Sequence, residues 1–235
     1  MAGPIDMGTA AALGALQGAT EFLPVSSSGH VALGAMLFGV AEETPLSLVV
    51  LLHFGTLVAT VALFRRDLVQ LVSRTVRGLR APRAFLADEE GRLVLGIVLA
   101  SLPTALMGLL LEARVEVFAR LPWVVGLCFL GSAAAVFATR RGGGEREVLP
   151  LRTAWIVGVA QGLAVLPGLS RSGATIAVAM LLGLSGPAAF RFSFLLSLPA
   201  VAGATVLSLR RPEELAALGP GALVGGLVSL LVGYL

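Results

Sequence analysis

A polar passage that occurs twice within apolar sequence is the feature that most constrains this chain. The first copy, residues 17–30, reads QGATEFLPVSSSGH, and the second, residues 161–174, reads QGLAVLPGLSRSGA. In both copies hydroxyl side chains and glycines interrupt an apolar stretch. Paired interruptions of this kind indicate a binding site near the middle of the bilayer.

The composition places the chain in the membrane. Hydrophobic residues make up 57% of it and charged residues 13%, whereas soluble domains carry about 25% charged residues. We therefore predict an all-α integral membrane protein with a single membrane domain, residues 1–235. The net charge of +3 comes from arginines near the predicted membrane surfaces, which does not favour nucleic-acid binding. The single cysteine, Cys128, excludes an internal disulfide.

Nine apolar segments follow one another along the chain. Two pairs are short, residues 7–23 with 31–40 and residues 153–166 with 174–184, and we predict that each pair forms a re-entrant helical hairpin. The other five segments predict spans, and because the chain stops within the last of them, at 222–235, we predict about six transmembrane spans with the last one missing or truncated. The internal repeat covers residues 7–139 and 152–235.

The predicted topology inverts the second copy. Three full spans separate the two hairpins, so the hairpins enter from opposite faces and their tips meet inside the protein, where irregular backbone is tolerated. Loop 65–92 holds seven arginines and loop 140–152 holds four, which predicts that both loops are cytoplasmic. The site then opens to the outside, and Arg210 and Arg211 fall on the outer face. The spacing within 68–80 predicts an amphipathic helix on the membrane surface.

The two interruptions predict a binding site for an anion. Backbone N–H groups at a helix start, together with the helix dipole, attract negative charge. The side chain of Arg171 adds a planar fork that suits phosphate oxygens. The alternative is that these residues only cap and pack helices. The candidate substrate-binding residues are Arg171, Ser26, Ser28, Ser170, Ser172 and Gly173.

The residues that differ between the copies are the candidates for chemistry. Glu21, Ser27 and His30 have Val165, Arg171 and Ala174 at the equivalent positions of the second copy. Ser27 and His30 allow a hydroxyl nucleophile with an imidazole acid/base, or an imidazole nucleophile with serine in support. The sequence does not choose between these two arrangements.

Three other polar residues lie in or beside apolar segments. Gln17 is four residues before Glu21 on the same helix face, so an amide and a carboxylate oxygen could hold Mg²⁺ or Ca²⁺. His53 has only apolar neighbours in VVLLHFG, and we interpret it as a packing residue. Arg191 either is functional or extends to the membrane interface.

The two motifs, together with FSFLLSLP at 192–199, resemble the signature of the undecaprenyl-diphosphatase family, also called bacitracin-resistance proteins. The resemblance covers nearly the whole chain. It implies a plasma-membrane enzyme that uses a divalent metal to dephosphorylate undecaprenyl diphosphate. The product, undecaprenyl phosphate, is the lipid carrier recycled for bacterial cell-wall synthesis.

Carried over by position, the resemblance implies roles for single residues. Glu21 and Gln17 occupy the acidic metal- or diphosphate-binding motif, whose first position is often glutamate in the family. Ser27 and His30 match the nucleophile and the acid/base, with Glu21 as a third catalytic residue, and Arg171 matches the diphosphate clamp. The expected partners are the polyprenyl diphosphate and membrane lipid, with a second copy of the chain, in a homodimer, as a further candidate. The competing class is a transporter or flippase for a polyprenyl phosphate or another anion.

Overall fold

A computed structural model describes residues 5–41, 44, 46–78, 80–208 and 219–235. Over these ranges the chain is helical and forms no strand. The helices are α1 (Met7–Glu21), α2 (Ser27–Leu37), α3 (Leu46–Leu63), α4 (Arg65–Gly78), α5 (Pro82–Ala87), α6 (Glu89–Ala119), α7 (Pro122–Ala138), α8 (Leu151–Leu163), α9 (Arg171–Leu181), α10 (Gly186–Ser208) and α11 (Gly219–Tyr234). Arg210 and Arg211, expected on the outer face, lie outside the described residues.

Of the described helices, four are long and apolar enough to cross a membrane. They are α3, α6, α10, and α7 with the short 3₁₀ turn that extends it to Arg141. Each has at least 18 residues and an apolar composition, close to the roughly 20 residues that a bilayer requires. The prediction of an all-helical membrane protein is confirmed.

Two helix–turn–helix units, α1 with α2 and α8 with α9, occupy the two copies of the repeated passage. Each second helix has a serine at its N-cap. The Ser26 side chain accepts a hydrogen bond from the Gly29 N–H at 3.3 Å, and the Ser170 side chain accepts one from the Gly173 N–H at 3.0 Å. Because a serine cap satisfies an N–H left free at a helix start, the same local sequence begins a helix in both copies.

Each unit packs closely against a helix from the other half of the chain. A Cβ atom built on Gly14 of α1 would lie 2.2 Å from the Gly225 carbonyl oxygen of α11. A Cβ on Gly158 of α8 would lie 2.2 Å from the Ala100 carbonyl oxygen of α6. The two glycines hold equivalent positions in the repeat, and small residues allow helix backbones in membranes to approach this closely. The two halves are therefore interlocked.

We expect Gly158→Ala to lower the melting temperature of the protein in detergent, because its methyl group would overlap the α6 backbone and cost about 1–3 kcal/mol. Gly126→Ala, on an open face of α7 with no atom near the added methyl, is the matched control. The control should leave the melting temperature equal or raise it slightly, since alanine favours helix. Equal melting temperatures for both variants would contradict the close contact.

The predicted amphipathic segment forms helix α4. Leu68 and Leu71 pack against the hydrophobic core beneath it, whereas Val69 is exposed. Arg191 at the start of α10 donates two hydrogen bonds to the Asp67 carboxylate, at 3.2 and 3.1 Å. Arg191 therefore joins α10 to α4. Leu79, expected at the end of this segment, lies outside the described residues.

Candidate active site

The two turns meet within the protein. The Ser172 hydroxyl at the start of α9 donates to the Leu23 carbonyl oxygen of the first turn at 3.3 Å. The backbones of Gly29 and Gly168 touch, since a Cβ on Gly29 would lie 2.6 Å from the Gly168 Cα. The polar ends of both copies consequently face one shared space.

That space is a cavity of about 490 Å³ whose walls are mostly apolar. Its polar lining comes from both copies and includes Glu21, Ser26, Ser27, Ser28, His53, Ser170, Arg171 and Ser172. Its apolar lining includes Leu46, Val50, Leu109, Val115, Val165, Leu169, Val206 and Leu207. The cavity is therefore suited to a ligand with an anionic head and a hydrocarbon tail.

Glu21, at the end of α1, belongs to this polar lining and is only 7% exposed. One carboxylate oxygen, Oε2, accepts hydrogen bonds from Gln17 Nε2 at 2.6 Å and from Ser27 Oγ at 2.5 Å. The other oxygen, Oε1, accepts from the guanidinium of Arg171. This buried ion pair joins the acid of the first copy to the cation of the second. The structure thus brings together Gln17, Glu21, Ser27 and Arg171.

Ser27 occupies the first position of α2, directly after a strained residue. Ser26 has φ of 66° and is the only described residue other than glycine with positive φ. Residues held in this region cost free energy and are concentrated at functional sites. The strained residue thus comes directly before Ser27, whose hydroxyl donates a hydrogen bond to the Glu21 carboxylate. Ser28 lies one residue on, its Oγ 3.4 Å from that of Ser26.

His30 lies apart from this group. Its Nδ1–H donates to the Ser26 carbonyl oxygen at 2.8 Å, and its ring packs edge-on against Phe129 of α7, with ring centroids 5.2 Å apart. His30 is not one of the described residues that line the cavity. The structure therefore places His30 behind the turn that carries Ser27, and its role as acid/base stays a prediction.

His53 is the imidazole that lines the cavity, so its interpretation as a packing residue was wrong. Its Nδ1–H donates to the Val49 carbonyl oxygen at 2.8 Å, one turn earlier in α3. Its Nε2 lies 3.8 Å from Oε2 of Glu21. The sequence around His53 gave no sign of this, because its polar neighbour comes from a different helix.

The second turn is held by a residue that sequence reasoning did not single out. Ser132 of α7 donates its hydroxyl to the Gly168 carbonyl oxygen at 2.8 Å and accepts the Ser170 N–H at 2.7 Å. Gly168 has φ of 95°, which favours glycine. Ser170 then caps the helix that begins with Arg171. Ser132 thereby holds the backbone of the turn from which the helix that begins with Arg171 extends.

A hydroxyl pair supports the same helix from its other side. Thr175 Oγ1 lies 2.6 Å from Ser193 Oγ of α10, and it also donates to the Arg171 carbonyl oxygen at 2.8 Å. Both hydroxyl residues are buried. Ser193 lies within the FSFLLSLP segment, so this segment contributes to the site by packing against α9.

Comparisons with known proteins give one consistent result. The family model described as "Bacitracin resistance protein BacA" matches residues 10–235. The chain is 44% identical to the undecaprenyl-diphosphatase of Rubrobacter xylanophilus, over 98% of this chain and 87% of the relative. It is 39% identical to that of Korarchaeum cryptofilum, over 98% and 88% of the two chains. It is 41% identical to that of Desulforapulum autotrophicum, over 95% and 84%. With this extent of identity along nearly its whole length, the chain belongs to the bacitracin resistance protein BacA family.

Proposed function

We propose that this chain removes the terminal phosphate of undecaprenyl diphosphate and so regenerates undecaprenyl phosphate, the carrier lipid of cell-wall synthesis. The relatives carry the name of this activity over almost the full length of the chain. The observation that supports it in the structure is the Ser27–Glu21–Arg171 group in the wall of a mostly apolar cavity. A hydroxyl, a carboxylate that accepts its proton and a guanidinium together can carry out phosphoryl transfer to serine.

In the first half of the proposed reaction, Ser27 Oγ attacks the terminal phosphorus. The hydroxyl proton passes to Oε2 of Glu21, to which it is already hydrogen-bonded. The bond between that phosphorus and the bridging oxygen breaks, and undecaprenyl phosphate leaves. Arg171 and the N–H groups at the starts of α2 and α9 stabilise the negative charge on the phosphoryl oxygens. Water then hydrolyses the phosphoserine and releases phosphate.

The apolar walls of the cavity account for the lipid part of the substrate. Side chains such as Leu109, Val115 and Leu207 line the same cavity. A polyprenyl chain placed against them removes apolar surface from water, which is favourable. The head group is then held at the serine, so binding of the tail positions the diphosphate for attack.

We propose that a divalent cation, Mg²⁺ or Ca²⁺, binds through Glu21 and Gln17. The Oε1 atom of Gln17 is buried without a hydrogen-bond partner, and amide and carboxylate oxygens suit hard cations. Among the described residues no three His, Cys, Asp or Glu side chains cluster, so substrate phosphate oxygens would complete the shell, as is usual for Mg²⁺. Such an ion supplies charge neutralisation on the diphosphate.

We also propose that α1–α2 and α8–α9 are re-entrant hairpins of an inverted repeat, covering 7–139 and 152–235. These helices have 15, 11, 13 and 11 residues, which at about 1.5 Å per residue is too short for a bilayer core of about 30 Å. Their meeting turns support entry from opposite faces. The basic loops support a site that opens to the outside of the plasma membrane. A homodimer stays a prediction.

The activity is tested with purified protein in detergent, undecaprenyl diphosphate and either Mg²⁺ or Ca²⁺. We expect phosphate and undecaprenyl phosphate to appear in equal amounts, and EDTA to stop their release. Absence of phosphate release with either ion would contradict the enzymatic function. Movement of intact lipid between the leaflets of proteoliposomes, without phosphate release, would indicate a transporter instead.

A further inference from the structure

We infer that His53 is a further catalytic residue, which accepts a proton from the water that hydrolyses phosphorylated Ser27. This inference rests on the proposed function, because it concerns the second half of that reaction. It assigns separate bases to the two halves: Glu21 to the attack by serine and His53 to the attack by water. Four features of the structure support it: the hydrogen bond of the His53 ring, the distance from His53 to Glu21, the access of His53 to the cavity and the position of His30 outside the cavity.

The hydrogen bond of Nδ1 fixes which ring nitrogen of His53 is available. A backbone carbonyl oxygen only accepts hydrogen bonds, so the contact of 2.8 Å with Val49 places the ring proton on Nδ1. The neutral ring then carries its lone pair on Nε2, as required of a base. The same bond holds the orientation of the ring, because Val49 and His53 are one turn apart in α3.

The distance to Glu21 leaves that lone pair free. Nε2 lies 3.8 Å from Oε2 of Glu21, which is beyond hydrogen-bond distance. In the free protein Oε2 accepts hydrogen bonds from Gln17 and Ser27 instead. His53 therefore lies beside the Ser27–Glu21 pair but makes no hydrogen bond to it through Nε2. Since both His53 and Ser27 line the cavity, a water molecule has space to reach the phosphoserine beside Nε2.

His30 is differently placed. Its Nδ1–H is held by Ser26 and its ring lies against Phe129, outside the described residues that line the cavity. The chain has two histidines in total. His53 is accordingly the imidazole in position to act on water in the cavity, whereas His30 supports the turn.

The proposed step balances as follows. A bond forms between the water oxygen and the phosphorus, and the water proton passes to Nε2 of His53. The bond between phosphorus and Ser27 Oγ breaks, and Oγ regains the proton that Glu21 took in the first half. Phosphate leaves the cavity, and His53 loses its proton to bulk water. Water is the one reactant that enters this step.

The test separates the two half-reactions in His53→Asn. Purified variant is mixed with undecaprenyl diphosphate and the divalent ion that supports wild-type activity, quenched at intervals and analysed for undecaprenyl phosphate, free phosphate and phosphoserine at position 27. We expect a rapid burst of undecaprenyl phosphate close to one molecule per protein, phosphorylation of Ser27, and steady-state phosphate release about 10²-fold or more below wild type. The burst also shows that the variant is folded. His53→Gln is assayed in parallel in case the asparagine variant does not fold.

The remaining outcomes decide against the inference or against the proposed function. Steady-state release at the wild-type rate from the His53 variants overturns the inference, and so does slow release without phosphoserine. Accumulation of phosphoserine in His30→Asn but not in His53→Asn would transfer the role to His30. Absence of phosphate release from wild type contradicts the proposed function itself, which distinguishes that failure from failure of the inference.

Discussion

Ser27→Ala is expected to reduce phosphate release from undecaprenyl diphosphate by at least about 10³-fold, because it removes the proposed nucleophile. The loss should appear in kcat. The remaining hydrogen-bond partners of Glu21, which are Gln17 and Arg171, do not depend on the serine hydroxyl. Affinity for the substrate and the melting temperature should therefore change little. Phosphate release under saturating substrate, together with thermal unfolding in detergent, measures both quantities.

Ser73→Ala provides the control for loss of a serine hydroxyl. Ser73 lies on α4, and its hydroxyl donates to the Gln70 carbonyl oxygen of the same helix, far along the chain from the cavity-lining residues. Activity close to wild type is expected for this variant. If Ser27→Ala retained a tenth or more of the wild-type rate, serine could not be the nucleophile, and an imidazole nucleophile would become the leading interpretation.

Arg171→Ala is expected to lower both activity and stability. Arg171 faces the substrate phosphates, and it also neutralises Glu21, whose side chain is only 6% exposed. Removing one partner of a buried ion pair leaves an uncompensated charge and costs about 3–5 kcal/mol. Loss of a charge-stabilising group also lowers the rate by about 10²–10³-fold. Phosphate release and melting temperature should both fall in the same variant.

Two further variants separate these effects. Arg74→Ala breaks a pair with Glu90 whose side chains are 53% and 16% exposed, and because the arginine reaches water its loss should cost less than the loss of Arg171. Glu21→Gln combined with Arg171→Ala removes both charges, so it should recover much of the melting temperature without recovering activity. A single Arg171→Ala variant that is as stable and active as Arg74→Ala would contradict both the buried pair and the phosphate clamp.

Much of the local structure could be predicted from the sequence. The hydroxyl and glycine residues at 26–29 and 170–173 begin helices through their own caps, and such caps depend on residues three apart. Helix α4 could be predicted because its apolar periodicity is a local property. Gln17 and Glu21 contact each other because they are one turn apart on α1. Each of these features is determined by neighbours within the same segment.

Contacts between segments were predictable only where the repeat related them. The proximity of Glu21 and Arg171 was predictable because the two equivalent passages were expected to face one site, although the ion pair itself was not predicted. Ser132 gave no comparable signal, because it is a serine in an apolar span whose partners, Gly168 and Ser170, are more than 30 residues away. The pair formed by Arg191 and Asp67 likewise joins residues from distant helices.

The sequence by itself determined the class of protein, the helices and the chemical groups of the first and second turns. Hydrophobicity and helix caps are properties of short segments, and the repeat is a likeness between two such segments. None of them depends on how the helices pack together. Only the tertiary structure decided which imidazole reaches the cavity. The ring of His30, three residues from Ser27, is turned towards Phe129, while His53 reaches Glu21 from α3. The packing of α3 beside α1 sets that contact, and packing depends on the whole bundle.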